Sequence, residues 1–148
     1  MRTSDEGAAL IRHFEGCRLE AYLCPANVWT IGYGHTLDVR EGDVIDQEAA
    51  EALLIEDLEE FEGYVTSLVE IELKQHQFDA LVSWTFNLGP TNLRESTLLN
   101  RVNYGPISDV PFQIKRWTRA GGKVLEGLVK RRAAEAALWE DKDWRQYV

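Results

Sequence analysis

Cysteine, histidine and long apolar runs are what this chain has least of. Two cysteines, Cys17 and Cys24, and three scattered histidines provide no second cysteine pair, so zinc has no ligand set and neither metal nor cofactor is expected. No stretch approaches the ~20 apolar residues of a membrane span. The first residues, MRTSDEGAAL, lack the apolar core of a signal peptide. A chain that neither inserts into a membrane nor exports itself is expected. Cationic surplus is missing too: the formal net charge is −9, no nucleic-acid module is recognisable, and no nucleic-acid partner is expected.

What is present is enough for one domain, residues 1–148, since 45% of the residues are apolar and can bury a core. The charge is uneven. Residues 1–100 hold 19 acidic and 6 basic side chains, whereas residues 101–148 hold 6 acidic and 10 basic. The basic end suits an anionic polymer or, more simply, forms a solvated helical surface.

Ser4 to Phe14 reads as a short helix. Ser4 is placed to cap it, Asp5 and Glu6 lie in its first turn, and Leu10, Ile11 and Phe14 share one face. Glu15 then stands at the helix C-terminus, followed by Gly16, the residue type that most often supplies a left-handed cap. The negative end of the helix dipole disfavours a carboxylate there, which suits a proton donor. Arg18 to Leu23 and Val28 to Tyr33 read as a small hairpin around Pro25, Ala26 and Asn27, and Leu37 to Asp43 as a third short strand and loop.

Asp46 opens a long helix whose apolar face runs through Ala50, Leu53, Leu54, Leu58, Phe61, Val65 and Leu68, with Asp57 on the same face. A carboxylate there is costly unless it is paired. Lys74 to Leu88 is a further helix, stopped by Gly89 and Pro90. Others start at Ser96 or Thr97, at Ser108 or Asp109, and after Gly127. There is no internal repeat.

Glu15, Cys24 and Thr30, separated by eight and five residues and followed by Ile31-Gly32-Tyr33-Gly34-His35-Thr36, resemble the catalytic segment of the phage-type lysozymes, glycoside hydrolase family 24. In that family the pattern is Glu, eight residues, Asp or Cys, five residues, Thr. Two further blocks agree: Gln77 to Leu81 with Phe86-Asn87-Leu88-Gly89 and Ser96 to Leu99, then Arg116-Trp117, Gly121-Gly122, Gly127-Leu128 and Arg131-Arg132. Together they cover nearly the whole chain.

The resemblance implies an α+β, lysozyme-like fold. Its small N-terminal lobe would carry a short antiparallel sheet, its C-terminal lobe would be helical, and a long helix at about 47–65 would connect lobes at about 1–46 and 66–148. It implies hydrolysis of the β-1,4 bond between N-acetylmuramic acid and N-acetylglucosamine in bacterial peptidoglycan by a monomeric endolysin, which waits in the host cytoplasm until it is released to the wall. A lytic transglycosylase and a non-catalytic peptidoglycan-binding module are the alternatives, and an antibacterial effector would share the same enzyme.

Glycosidic hydrolysis needs a proton for the leaving oxygen and a group on the opposite face of the sugar, usually a second carboxylate. Glu15 is the acid. Cys24 departs from the two-carboxylate template, leaving two routes open: Cys24 and Thr30 hold a water and the anomer inverts, or a Cys24 thiolate attacks and configuration is retained. The same resemblance points to Tyr22, Tyr33, Phe86, Asn87 and Thr97 as substrate contacts and to an ion pair between His35 and Asp57. Arg131 and Arg132 are offered either to peptidoglycan carboxylates or to the stitching of the C-terminal lobe. Some phage lysozymes resemble a caged form in which a disulfide blocks the catalytic cysteine. With no third cysteine, a Cys17–Cys24 bond here would be an off-state without built-in release.

Overall fold

A computed structural model describes all 148 residues. Seven helices and two short hairpins give the expected α+β architecture. The chain divides into two compact units, one of residues 11–60 and the other of residues 1–10 together with 61–148. Both α1 (Asp5–Glu15) and α2 (Gln47–Leu68) therefore contribute residues to each unit.

In the smaller unit, β1 (Arg18–Leu23) pairs antiparallel with β2 (Trp29–Gly32), Tyr22 standing opposite Thr30. The third strand expected at Leu37 to Asp43 does not form. Asp38 and Gly42 take left-handed conformations, φ 57° and 88°, that turn the chain. Only Val44 bridges to Glu20, flanked by hydrogen bonds from Ala21 N to Asp43 O and from Ile45 N to Leu19 O, each 2.9 Å. Helix α2 starts where Asp46 Oδ1 accepts from Ala49 N at 2.8 Å, and it buries Ala50, Leu54 and Leu58 of the anticipated stripe.

The larger unit is built on α3 (Gln75–Leu88), which is buried without interruption from Phe78 to Thr85 and packs against α7 (Glu126–Trp139). Gly89 N closes α3 on Thr85 O at 2.7 Å, and Pro90 opens α4 (Pro90–Glu95). Ser96 Oγ then accepts from Leu99 N at 3.0 Å to cap α5 (Thr97–Tyr104). After α6 (Val110–Lys115), a hairpin of β3 (Arg119–Ala120) and β4 (Lys123–Val124) turns on Gly121 and Gly122, both with positive φ. That is the two-residue turn demanded by the twist of paired strands. Gly127, expected ahead of the last helix, falls inside the first turn of α7.

Two carboxylates are buried in this unit, and both face donors or countercharges. Asp79, 1% exposed, accepts from Ser4 N at 3.0 Å, from the Ser4 hydroxyl and from Gln75 Nε2 at 2.8 Å. The start of α1 lies so close to it that a Cβ on Gly7 would stand 2.7 Å from Asp79 Cβ. Glu135, fully buried, takes Ser83 Oγ at 2.5 Å and Arg131 Nε at 3.2 Å on Oε2, while Arg132 Nε lies 2.8 Å from Oε1. Arg131 and Arg132 are thus core cations of the C-terminal helix and unavailable to an anionic polymer. Removing the shared anion leaves two buried guanidinium groups without their countercharge. Glu135→Ala is expected to cost about 3–5 kcal/mol in stability, measured as a fall in the denaturant midpoint at unchanged m-value.

Candidate active site

Residues 11–60 hold the expected chemistry. Glu15 is the last residue of α1; Gly16, at φ 68°, ends the helix by donating its N–H to Arg12 O at 3.0 Å. The half-buried Glu15 carboxylate lies over Gly34, where a Cβ would come 3.0 Å from its Oε1. Gly34 belongs to a loop closed by reciprocal backbone hydrogen bonds between Ile31 and His35, both 2.9 Å, with Gly32 and Gly34 at φ 63° and 82°. A side chain at Gly34 would strain the backbone and displace the carboxylate.

Cys24 opens the β1–β2 turn. Asn27 N donates to Cys24 O at 2.9 Å, Cys24 N donates to Val28 O at 3.0 Å, and Asn27 sits at φ 62°. Pro25 occupies the second turn position, which its fixed φ suits, and Asn27 tolerates the left-handed one. The first position of such a turn usually holds Asp, Asn or Ser, because an acceptor there meets backbone N–H groups two residues on. The Cys24 sulfur is served in the same way. Hydrogen bonding from the Val28 and then the Ala26 backbone holds its thiol below the usual range against the opposing effect of burial, and the Thr30 hydroxyl adds to the lowering. Thr30, 4% exposed, also lies 2.9 Å from Val28 O as a donor. Its single proton therefore has two acceptors within reach.

A polar brace joins this loop to the helices of its own unit. Tyr33 OH donates to Glu51 Oε1 at 2.7 Å and accepts from Gln47 Nε2 at 2.9 Å, while Arg12 Nε donates to Glu51 Oε2 at 2.7 Å. Burial and then the Glu51 carboxylate raise the Tyr33 phenol above its ordinary range. Burial pushes Glu51 upward, but the hydrogen bonds from Tyr33, Arg12 and Gln47 outweigh it and leave its carboxyl lowered. His35 Nδ1 stands 2.8 Å from Asp57 Oδ2, and its Nε2 stands 3.0 Å from Leu37 O. Both partners are acceptors. The His35–Asp57 contact ties the loop to α2.

Glu15, Cys24, Thr30, Tyr22, Tyr33, His35 and Asp57 thus share one unit, and Phe86, Asn87 and Thr97 lie in the other. Tyr33, expected as a substrate contact, is 8% exposed, and its hydroxyl is engaged by Glu51 and Gln47. Tyr22 is half-buried with the Arg18 guanidinium 4.3 Å over its ring. Phe86 is half-buried edge-to-face against Phe61 at 5.0 Å, Asn87 is exposed and accepts from Arg132 Nη2 at 2.7 Å, and Thr97 is exposed at the start of α5. Both cysteines are free thiols, with Cys17 Sγ 3.8 Å from Gln47 Oε1. Sequence reasoning missed Arg12, Gln47 and Glu51. Gln47 and Glu51 sit one helical turn apart, but nothing in their spacing names Tyr33 as the shared partner.

The residues from 12 to 135 match the family model described as phage lysozyme, and the chain belongs to that family. The endolysin of Acyrthosiphon pisum secondary endosymbiont phage 1 is 44% identical over 144 residues, covering 95% of this chain and 99% of the relative. Among solved structures, the muramidase domain of SpmX from Asticaccaulis excentricus superposes with a TM-score of 0.88 at 42% identity, over 93% of this chain and 97% of that one. The endolysin from Escherichia coli O157:H7 phage FAHEc1 gives 0.88 at 37% identity, over 95% and 94%.

Since the folded Glu51 carboxyl is lowered, its contribution to stability is complete above the unfolded carboxylate pKa and fades as pH falls through the lower folded value. Glu51→Gln is expected to lower Tm at pH 7. Thermal scans from pH 7 downward should show the gap to the parent protein narrowing on the acid side of the ordinary carboxylate range.

Proposed function

We propose that this chain is an endolysin muramidase that hydrolyses the β-1,4 bond between N-acetylmuramic acid and N-acetylglucosamine, with Glu15 as general acid and Cys24 and Thr30 holding the attacking water. The observation that carries the reading is the turn that brings the Cys24 thiol and the buried Thr30 hydroxyl side by side, in the unit whose first helix ends on Glu15. Membership of the phage lysozyme family supports the substrate class.

In the proposed step the Glu15 carboxyl gives its proton to the glycosidic oxygen as the bond to the anomeric carbon breaks. Water attacks from the opposite face and releases a proton to the Cys24 sulfur, while the Thr30 oxygen fixes its orientation. The lowered thiol pKa increases the thiolate fraction available as acceptor near neutral pH. The anomer inverts. His35, Asp57, Tyr33 and Glu51 act by positioning the loop beneath Glu15, and Phe86, Asn87 and Thr97 are offered as contacts to the glycan. No helix is long and apolar enough to cross a membrane. The proposed enzyme is a monomer that waits in the host cytoplasm for release to the wall.

Purified peptidoglycan digested by the reduced protein should release muropeptides with free reducing muramic acid, identified by mass. Glu15→Gln and Cys24→Ala should each slow release by roughly 10²–10⁴-fold, and Cys24→Asp, which restores an acceptor at the first turn position, should recover most of the rate. Anhydro-muramic ends would move the chain to the transglycosylases. Full activity of Cys24→Ala would remove the thiol from the mechanism.

Alkylation separates the two thiols without relying on turnover. Iodoacetamide should modify Cys24 faster than Cys17 near neutral pH, with activity falling in step with Cys24 occupancy in peptide mass maps. Activity surviving complete Cys24 alkylation would contradict the assigned role.

A further inference from the structure

A hollow of about 680 Å³ in the larger unit holds none of the residues assigned to the chemistry above, and of the proposed glycan contacts only Thr97 lines it. One wall is the outer face of α5. Thr97, Asn100, Arg101 and Tyr104 recur at the spacing that puts them in a single row, while Leu98, Leu99 and Val102 are buried. The facing wall comes from Leu68 and Glu70, at and just after the end of α2.

The row is more ordered than a merely solvated helix face requires. Tyr104 is 71% exposed, and its hydroxyl donates to Glu70 Oε2 at 2.8 Å, which orients the ring along the trough. Asn103 Nδ2 donates to the same oxygen at 3.1 Å and to Leu68 O at 3.0 Å, and its Oδ1 accepts from Glu70 N at 2.8 Å. Arg101 is held by Asp109 Oδ2 at 3.0 Å and Asn100 Oδ1 at 2.7 Å. An aromatic side chain, with only two rotatable bonds, loses little conformational entropy on contact.

The lining also selects the ligand's chemistry. Glu70 and Glu95 balance Arg94 and Arg101, so no net field favours an ion. Planar amide, carboxylate and guanidinium groups hydrogen-bond hydroxyls and acetamido groups, an exposed ring takes the C–H face of a pyranose, and the half-buried Leu68 side chain suits an acetyl methyl. A smaller hollow of about 210 Å³, which Arg116 and Trp117 help to line, shares Glu95, Ser96 and Thr97 with this one. A strand held at Thr97 would meet the Tyr104 ring about 10 Å further along the helix.

We propose that this trough is a second, non-catalytic glycan-holding site, which grips N-acetylhexosamine units of a wall strand outside the bond being cut. The proposal rests on the muramidase reading for its substrate class. The test is a ¹H–¹⁵N NMR titration of the full chain carrying Glu15→Gln with chitotetraose. The Asn100 and Asn103 side-chain amides should shift, and adding the exposed substitution Tyr104→Ala should weaken that response roughly three- to tenfold with the remaining spectrum preserved. Amides at Asn100 and Asn103 that stay unmoved, or a response indifferent to Tyr104→Ala, would overturn it. The Ala26, Val28 and Thr30 amides in the same spectra report separately on the proposed catalytic site, so failure of the muramidase reading and failure of the trough register at different residues.

Discussion

The candidate site depends on one closed loop, Ile31 to His35, pinned by its two reciprocal backbone hydrogen bonds. Its residues engage the helices of their unit in different ways. Gly34 makes room for the Glu15 carboxylate at the end of α1, Tyr33 reaches Glu51 and His35 reaches Asp57 on α2, and Gly32 packs near Ala50. Two left-handed glycines make the tight path possible. A side chain at Gly34 would both strain the loop and strike the proposed acid, so backbone conformation and chemistry are coupled at one residue.

The same unit shows how a thiol comes to stand where glycosidases usually place a carboxylate. The β1–β2 turn provides donors for whatever acceptor fills its first position, and Val28 and Ala26 meet the Cys24 sulfur as they would meet an Asp oxygen. The polarity comes from the turn, so the side chain need supply only an atom that accepts. Thr30 follows because it lies two residues past Val28, whose carbonyl anchors its hydroxyl.

In the larger unit, buried charge is met by donors and countercharges from several elements. Asp79 and Glu135 are almost wholly dry, and each collects donors from more than one element, Ser4 and Gln75 for the first and Ser83, Arg131 and Arg132 for the second. Such clusters specify one arrangement, because losing any member leaves a desolvated group uncompensated. The outer face of α5 follows the opposite logic, with polar groups ordered among themselves but left open to solvent.

From the chain alone, periodicity located α1, α2 and α3, a capping residue at Ser96 or Thr97 marked α5, and the stops at Gly16 and Gly89 were readable because few other residues end a helix so well. The spacing of Glu15, Cys24 and Thr30 singled out the candidate site through the family resemblance, and each residue lies at or beside a helix end or turn. The pairing of Asp57 with His35 was suggested through a family resemblance, and only the fold set their distance. Partners far apart in sequence were decided by tertiary structure. Arg131 and Arg132 read either as peptidoglycan contacts or as stitching of the C-terminal lobe, and Glu135 and Ser83 decide for the second; the Tyr33 hydroxyl goes to Glu51 and Gln47, and the expected third strand gives way to turns at Asp38 and Gly42. Local propensity reports the backbone's own preferences, whereas burial and hydrogen-bond completion depend on which segments the whole chain brings together.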